Sequence, residues 1–512
     1  MKVLARAALC VGVILAAAGA AAVASAEPVR VAIDSGVLVG SVDSGVESFK
    51  GVPYVAAPTG ALRWAPPAPV AAWKGERRAD AYGPICPQPV NANGSPNLGG
   101  ASGATSEDCL YLNVWAPVGA RRAPVMVWLH GGGNTLGAGS LGAYDGSAFV
   151  RDGVILVTIN YRLGVLGFFA HPALTRSAKA GEPLVGYGIM DQIAALEWVR
   201  RNIARFGGDP ANVTLFGESA GGGDTLLLMA SPLARGLFAK AIVESGGGWS
   251  PPVTLAAAES AGAAVAAKAG APANATAAQL RAIPLAALVA NTGGGAQVAI
   301  DGHLLTGSAS QAFASGDVAH VPLIIGSNSF EASLMKAFDA PPAAILASQP
   351  AALKAAYAGE KGDEAMASAM FTDGFMGAPA RWIAARASAG APTWLYHFSY
   401  VLDVQRPTSK GAGHASEIPY VFASWDKLGA IGMGLKPSAG DLEMTRIVHA
   451  CWVAFAKSGV PACPPAPAWP RYTPASDRLM EFDSAPAVKQ HFRKAELDAQ
   501  EANGLPKLDL GR

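Results

Sequence analysis

The chain has 512 residues, and its 39 basic and 38 acidic side chains give a net charge of +1, which excludes the strongly basic surface of a nucleic-acid-binding protein. Hydrophobic residues make up 51% of the chain, ample material for a large core. Beyond residue 26, no stretch reaches the ~18 uninterrupted apolar residues of a spanning helix, so we expect no membrane span after processing.

The first 26 residues have the pattern of a secretory signal peptide. Lys2 and Arg6 precede an apolar run over 7–23, and Ala-Ser-Ala at 24–26 is the small-x-small pattern after which signal peptidase cuts. An uncleaved anchor is the alternative, but the run is rich in Ala and Gly and ends at a good cleavage site. We therefore expect a mature chain that starts at Glu27 and is exported to the periplasm or the extracellular medium.

Short, nearly wholly apolar runs recur along the mature chain, at 125–129, 154–159, 213–216, 241–243 and 321–325. Such runs are expected of strands that are buried on both faces of a mostly parallel sheet. Between the second and third runs, the spacing of Ile193, Leu196 and Val199 predicts a helix that ends near paired glycines at 207–208. This alternation predicts one α/β domain over 27–512, with a central sheet flanked by helices.

Two Ala-rich stretches, at about 254–296 and 341–391, interrupt the alternation. Neither is bounded by a long polar linker, so we predict helical insertions rather than separate domains. We expect both insertions to wall a substrate pocket. The segment 91–105 is full of Gly, Ser, Asn and Pro, which predicts a surface loop.

Four cysteines remain once Cys10 leaves with the leader. An even number in an exported protein favours disulfides. Of the three possible connectivities we favour Cys86 with Cys109 and Cys451 with Cys463, because each pair closes a short Pro- or Gly-rich segment. Free thiols are the alternative.

A single Gly-x-Ser-x-Gly motif, at 217–221, places Ser219 between the strand predicted at 213–216 and an apolar helix at 225–229. This is the strand-turn-helix context of a nucleophile elbow. In such an elbow the serine hydroxyl projects above the sheet at a helix N-terminus, where the helix dipole stabilises negative charge. We predict that Ser219 is a nucleophile; a chance match in a Gly-rich chain is the alternative.

A serine hydroxyl needs a general base, and the base needs an orienting carboxylate. Glu331 follows the strand predicted at 321–325, where the acid is expected, whereas Asp317 precedes that strand and Asp339 is a weaker alternative. His414 lies in a Gly-rich turn able to carry an imidazole to the serine. Of the other histidines after the acid, His397 lies in a strand-like alternation, His449 in a helical run and His491 near a charged tail.

A glycine triplet at 131–133 follows the strand predicted at 125–129, as the oxyanion loop of esterases does. Glycines expose their N–H groups without side-chain obstruction, and the N–H of Ala220, directly after the serine, completes a set of oxyanion donors. The chain has no His-Glu-x-x-His, no paired Cys-x-x-Cys and no phosphate-binding glycine loop, so we expect neither a metal nor an organic cofactor.

These residues and their surroundings resemble the type-B carboxylesterase family, which includes the cholinesterases. The resemblance covers nearly the whole mature chain and includes the segments 49–54, 106–114, 160–164, 188–192, 206–210, 217–221 and 326–331. It implies an α/β-hydrolase fold and a catalytic triad of Ser219, Glu331 and His414. It also implies that the oxyanion is held by Gly132, Gly133 and Ala220.

The resemblance further implies a bridge between Cys86 and Cys109 and a position for Glu218 near the histidine, as a second carboxylate. A glutamate held only by structural hydrogen bonds is an equal alternative for Glu218. Trp249 either lines the acyl pocket or belongs to the core. Two structural ion pairs are expected: Arg162 with Asp191, and Arg63 with Glu107.

Three residues depart from the family pattern. Ala332 stands where glycine usually follows the acid, and we expect it to shift the acid loop slightly. Gly186 stands where asparagine is usual, and Asn134 replaces the aromatic residue that commonly follows the glycine triplet. We expect Asn134 to widen or polarise the pocket entrance. Residues 87–108 include no Trp, Tyr or Phe, which argues against choline esters because no cation–π platform is available.

We therefore predict a serine carboxylesterase that acts on small-molecule esters through an acyl-enzyme. An amidase or lactonase with the same triad is one alternative, and a non-catalytic binding protein of this fold is another. The sequence leaves open the natural ester and the oligomeric state.

Overall fold

The computed structural model describes residues 27–290, 298–429 and 435–510. The predicted signal peptide, residues 1–26, and the end of the first predicted insertion lie outside these ranges. Within them, no helix combines the length and the apolar character that crossing a membrane requires.

One mixed sheet of thirteen strands runs through the described part of the chain. The strands are β1 (Glu27–Ile33), β2 (Gly36–Asp43), β3 (Val46–Pro53), β4 (Glu76–Arg78), β5 (Tyr111–Pro117), β6 (Ala123–Leu129), β7 (Ile155–Ile159), β8 (Gly208–Glu218), β9 (Lys240–Glu244), β10 (Leu323–Asn328), β11 (Thr393–Phe398), β12 (Arg478–Phe482) and β13 (Ala487–Gln490). Their spatial order is β1-β2-β3-β5-β7-β6-β8-β9-β10-β11-β12-β13, and β4 pairs with β2.

From β7 to β12 every neighbouring pair is parallel, whereas β1, β2, β3, β5 and β13 are joined to the sheet by antiparallel pairing. The five apolar runs predicted as strands lie in β6 to β10, at the centre of the parallel region. A mostly parallel central sheet flanked by helices is the α/β-hydrolase fold that the sequence predicts, and this expectation is confirmed.

Helices cover both faces of the sheet. Those described are α1 (Ser147–Arg151), α2 (Gly164–Phe168), α3 (Pro172–Thr175), α4 (Tyr187–Asn202), α5 (Ala220–Ala230), α6 (Leu255–Lys268), α7 (Ala277–Arg281), α8 (Leu285–Ala290), α9 (Ala309–Ser315), α10 (Pro342–Ala347), α11 (Ala351–Ala356), α12 (Asp363–Thr372), α13 (Ala378–Ala387), α14 (Ile418–Phe422), α15 (Ala439–Ser458) and α16 (Lys494–Gly504). The predicted helix before the paired glycines is α4, which continues into a 3-10 turn, Ile203–Phe206.

Gly186 occupies the N-cap of α4 with φ of 81°, in the left-handed region. Asparagine adopts this region more readily than most side chains do, and glycine adopts it at no steric cost. The departure from the family pattern at this position therefore preserves the backbone conformation.

The apolar side chains of the central strands alternate between two cores. In β6, for example, Val125 and Val127 belong to the larger core on one face, and Met126 and Trp128 belong to the core on the other. Burial on both faces explains why the central strands have continuous apolar runs rather than alternating ones.

Both predicted disulfides are formed. Cys86 bonds to Cys109 and closes the loop predicted at 91–105, and Cys451 in α15 bonds to Cys463 in the segment that follows. The Cα atoms of the two pairs lie 5.0 Å and 4.8 Å apart.

Candidate active site

Ser219 lies at the sharp turn from β8 into α5. Its φ of 55° and ψ of −121° are a conformation that non-glycine residues avoid. The turn brings β6 so close that a Cβ atom at Gly221 would lie 2.0 Å from the carbonyl oxygen of Leu129. Glycine is therefore required there, and the motif predicts the strained turn correctly.

Glu331 begins a 3-10 turn, Glu331–Leu334, shortly after β10, and its side chain is fully buried. Its Oε1 accepts hydrogen bonds from Ser245 Oγ at 2.5 Å and from the N–H of Asn328 at 2.8 Å. Its Oε2 lies 2.6 Å from His414 Nδ1. Because an ionised carboxylate only accepts, Nδ1 carries the proton of a neutral His414, and Nε2 is left as the basic nitrogen.

His414 lies in the loop between β11 and α14. Its backbone N–H donates to Ser333 Oγ at 2.9 Å, and Gly413 forms a β-bridge with Phe330, so the histidine loop is held against the acid loop. His414 Nε2 lies 3.1 Å from Glu218 Oε1. The described residues provide no hydrogen bond between Nε2 and Ser219, although both side chains line one cavity.

Four buried glutamates lie in and beside the site: Glu218, Glu331 and Glu417 interact with the histidine, and Glu244 interacts with Glu218 and Glu417. Asn328 Nδ2 bonds to Glu417 Oε2 at 2.5 Å, and Trp452 Nε1 donates to Glu244 Oε1 at 2.7 Å. Within the described ranges, no Arg or Lys forms an ion pair with any of the four. We call this set the glutamate cluster.

Burial of the glutamate cluster shifts its protonation. Burial raises the pKa of Glu218 to about 8 and that of Glu417 to about 7, and it raises the pKa of Glu244 well above its ordinary value. Burial by itself lowers the pKa of His414, but the negative charges of Glu218 and Glu331 outweigh this and raise it to about 10. The site thus favours the imidazolium form of the histidine.

The glycine triplet forms a tight turn directly after β6. Gly132 has φ of 109°, and a Cβ atom there would lie 2.3 Å from the carbonyl oxygen of Leu136. In the described part of the chain, the N–H groups of Gly132 and Gly133 donate to no protein acceptor. Ala220 is the first residue of α5, so its N–H is one of the groups that a helix N-terminus leaves without a helical partner.

A cavity of about 760 Å³ is lined by Ser219 and His414 and by the three residues predicted to bind the oxyanion: Gly132, Gly133 and Ala220. Its lining is largely apolar and includes Trp249, in agreement with the pocket position considered for this residue. Leu98, 87% exposed on the loop closed by Cys86 and Cys109, lies on its rim. The acidic and basic side chains of the lining are Glu218, Asp224 and His414.

Of the two insertions predicted to wall the pocket, the second does so, whereas the first is described only as far as residue 290. The second insertion reaches the cavity through Gly374, Phe375 and Met376, in a π-helical turn between α12 and α13. The described residues of the first insertion, which form α6 to α8, contribute nothing to the lining. Gly262 of α6 packs instead against the backbone of Ala170, behind the pocket wall.

The model of the Carboxylesterase family matches residues 27–358 and 351–500 of the chain. The chain belongs to the carboxylesterase family. This carboxylesterase is a carboxylic ester hydrolase, and the predictions of family and enzyme class are confirmed.

Individual relatives share most of their length with this carboxylesterase. It is 36% identical over 480 residues to the fumonisin B1 esterase of Sphingopyxis macrogoltabida, covering 87% of this chain and 85% of the relative. It is also 36% identical over 476 residues to the para-nitrobenzyl esterase of Bacillus subtilis, covering 88% and 94%. A solved PNB esterase structure superposes with a TM-score of 0.82 at 33% identity, over 92% of this chain and 99% of that one.

Asn134 is one of the residues that line the cavity. Its side chain is buried, and both ends of its amide are bonded inside the protein, to Asp224 and to Tyr161.

Ala332 does not have a positive φ, so the acid turn of this carboxylesterase does not need glycine. Both predicted ion pairs are formed, Arg162 with Asp191 at 2.8 Å and Arg63 with Glu107 at 2.5 Å.

Sequence reasoning missed five residues that contact the site: Ser245, Asn328, Glu417, Glu244 and Asp224. Glu417 offered one signal, because a glutamate three residues after the histidine directly precedes an apolar helix. Ser245 directly follows the buried run of β9, at the same sheet edge as Ser219. The sequence alone does not indicate that Glu417 bonds to Asn328 or that Ser245 bonds to Glu331.

Proposed function

We propose that this carboxylesterase cleaves its esters in two acyl-transfer steps, with Ser219 as nucleophile, His414 as general base and Glu331 as the carboxylate that orients the base. The observation that carries the proposal is the 2.6 Å contact of Glu331 Oε2 with His414 Nδ1, beside a strained serine in the same cavity. These groups come from three separate segments of the chain. Their convergence on one site, with Ser219 and His414 in the cavity and Glu331 buried behind His414, supports catalysis more strongly than any single motif does.

In the first step, His414 Nε2 takes the proton of Ser219 as its Oγ attacks the ester carbonyl carbon. The tetrahedral intermediate then collapses, the bond between the carbonyl carbon and the alcohol oxygen breaks, and the alcohol leaves with the proton from Nε2. Water repeats the sequence on the acyl-enzyme and releases the carboxylic acid. Each step passes through an imidazolium, which Glu331 and Glu218 stabilise.

The oxyanion of each intermediate is bound by the N–H groups of Gly132, Gly133 and Ala220. The lack of protein acceptors for the two glycine N–H groups supports this role. Donors that are fixed before the reaction need no reorganisation as the charge develops.

The size and lining of the cavity indicate the substrate class. About 760 Å³ of mostly apolar space accommodates an ester with sizeable apolar groups on both sides of the carbonyl. The relative named for para-nitrobenzyl esters fits this class. An amidase or lactonase with the same machinery is the alternative, and matched ester, amide and lactone substrates separate the three.

We further propose that residues 1–26 are removed on export and that 27–512 form a single hydrolase domain outside the cytoplasm. The two disulfides support an oxidising compartment. Sequencing of the N-terminus of the protein from each cell fraction tests this proposal, with Glu27 as the expected first residue.

Labelling with an organophosphonate, followed by peptide mapping, tests the nucleophile. We expect one adduct, at Ser219, and no hydrolysis of a short-chain aryl ester by Ser219→Ala above about one part in 10⁴ of wild type. Ser458→Ala, at an exposed serine, is the control and should label fully. An adduct elsewhere, or full activity of Ser219→Ala, would contradict the assignment.

A further inference from the structure

Asp224 is a buried carboxylate that the proposed mechanism does not use. It lies on α5 four residues after Ala220, so it sits one turn along the helix whose N-terminus faces the oxyanion. Its side chain is 1% exposed, and among the described residues no cation pairs with it. An unpaired buried carboxylate destabilises a fold, so its bonding partners are informative.

Both oxygens of Asp224 accept hydrogen bonds from buried amides. Oδ1 accepts from Asn134 Nδ2 at 2.9 Å, and Oδ2 accepts from Gln192 Nε2 at 2.6 Å. Asn134 directly follows the glycine triplet, and Gln192 belongs to α4. Asp224 therefore ties the oxyanion loop to α5 and α4 at once.

The other polar groups of Asn134 are also held. Its Oδ1 accepts from Tyr161 Oη at 3.1 Å, and its carbonyl oxygen accepts from the N–H of Gly164 at 2.7 Å. The same tyrosine hydroxyl shares its single proton with the carbonyl oxygen of His130, 2.7 Å away at the start of the loop. With φ of 57°, Asn134 adopts a left-handed conformation, which this set of bonds maintains.

The oxyanion donors lie on two different elements. Gly132 and Gly133 belong to the loop after β6, whereas Ala220 belongs to α5. Their N–H groups meet on one oxygen atom only if the loop and the helix keep a fixed separation, and an error of about 1 Å in such an arrangement costs about 100-fold in rate. The bond between Asp224 and Asn134 joins these two elements directly.

We propose that Asp224 is a positioning residue, which holds the oxyanion loop at the distance from α5 at which all three N–H groups reach the oxyanion. This inference rests on the proposed function of Ser219 and its oxyanion donors. Burial raises the pKa of Asp224 to about 7, and both amide bonds are strongest to its ionised form.

The test compares Asp224→Ala with Asp224→Asn and Asn134→Ala. D224A and N134A both lose the hydrogen bond between residues 224 and 134. We expect kcat to fall about 10- to 100-fold in each variant, with KM within about two-fold of wild type. D224N should keep most of the activity. Gln192 Oε1 has no partner in the described structure, so the Gln192 amide can turn and accept from the new amide while Asn134 still donates to its oxygen.

A trifluoromethyl ketone distinguishes positioning from general destabilisation, because its adduct with Ser219 carries an oxyanion. Its affinity should fall by the same factor as kcat/KM in D224A, while a planar amide analogue binds as before. Asp441→Asn is the matched control: Asp441 is a fully buried carboxylate that accepts from Tyr400 Oη and lies outside the cavity lining. D441N is expected to alter Tm but not kcat per site titrated with phosphonate.

Three results would overturn the inference. One is an unchanged kcat per titrated site in D224A with a lowered Tm, which indicates a purely structural residue. Another is a change confined to KM for cationic esters, which indicates a binding subsite. The third is full activity of N134A. Stoichiometric labelling of Ser219 in D224A would show that the proposed nucleophile stands even when this inference fails.

Discussion

The protein buries carboxylates in two contrasting ways. Around Arg381, the guanidinium bonds to Asp477 at 2.9 Å, to Asp498 at 2.7 Å and to Glu501 at 3.1 Å. Burial alone would raise the pKa of Asp477, but its bonds to Arg381 lower it below the ordinary value. Three members of the glutamate cluster, Glu218, Glu244 and Glu417, pair with no Arg or Lys among the described residues, and burial raises their pKa values toward neutrality or beyond.

The difference separates groups that stabilise the fold from groups suited to the reaction. A guanidinium is always charged, and that of Arg381 binds Asp477 bidentately, so Asp477 stays ionised at every working pH. The group that contacts the glutamate cluster and can become positive is His414, which lies against Glu218 and Glu331. In the resting site these carboxylates favour the imidazolium form of His414, and the same charges stabilise the imidazolium that forms in each step of the proposed mechanism.

The largest expected effect comes from Glu331→Gln. Two donors, Ser245 Oγ and the N–H of Asn328, require an acceptor at the Oε1 position, so the new NH₂ group must face His414 Nδ1. This forces the tautomer that leaves no basic Nε2, and we expect kcat to fall about 10³- to 10⁴-fold. Steady-state hydrolysis of an aryl ester measures the loss. Glu501→Gln, in the Arg381 cluster, is the control, and equal losses in both variants would remove the contrast.

Arg381→Met should lower the stability of the protein without lowering its activity. It leaves Asp477, 5% exposed at its side chain, without its guanidinium, and we expect the free energy of unfolding to fall by about 3 kcal/mol. Urea unfolding at pH 7 measures this change. The kcat per phosphonate-titrated site should stay at the wild-type value. A large drop in that kcat would show that the Arg381 cluster also supports the reaction.

Glu218→Gln changes the pH dependence more than the maximal rate. Hydrolysis requires neutral His414, so activity is lost as the pH falls through the pKa of this histidine. The charge of Glu218 raises that pKa, so its removal should move the acid limb of the kcat/KM profile to lower pH, by about one unit. A limb that stays in place or moves to higher pH would contradict the role of Glu218. Glu417→Gln should shift the limb less, in the same direction.

The smallest effect is expected for Glu244→Gln. Burial raises the pKa of Glu244 well above its ordinary value and so favours the neutral carboxyl, and a neutral amide of the same shape still accepts from Trp452. The free energy of unfolding should change by less than about 1 kcal/mol. A gain of several kcal/mol in urea unfolding would show that Glu244 is ionised in the native protein, and the contrast with the Arg381 cluster would need revision.

Sequence reasoning predicted the centre of the fold better than its edges. The strands β6 to β10 are apolar on both faces, a pattern visible within each run. Strands such as β2 (Gly36–Asp43) and β13 (Ala487–Gln490) mix polar and apolar residues, and their pairing depends on partners that local sequence does not specify.

The same distinction applies to the site. Ser219, Glu331 and His414 were predictable because motif, strand ends and chain order constrain each one separately. Ser245 supports Glu331 from 86 residues away, and Asp224 meets Asn134 across 90 residues. Such contacts follow from how loops fold back over the sheet edge, which no local pattern encodes.

The order of the site along the chain has a consequence for biosynthesis. Ser219 leaves the ribosome well before Glu331, and His414 follows only after the whole second insertion. A chain that stops before the bridge between Phe330 and Gly413 has formed contains a serine with no base, which is an ordinary alcohol. With the proposed triad, hydrolysis therefore begins only when the last third of the protein has docked, and we expect the appearance of activity during refolding to measure completion of the fold rather than the folding of its core.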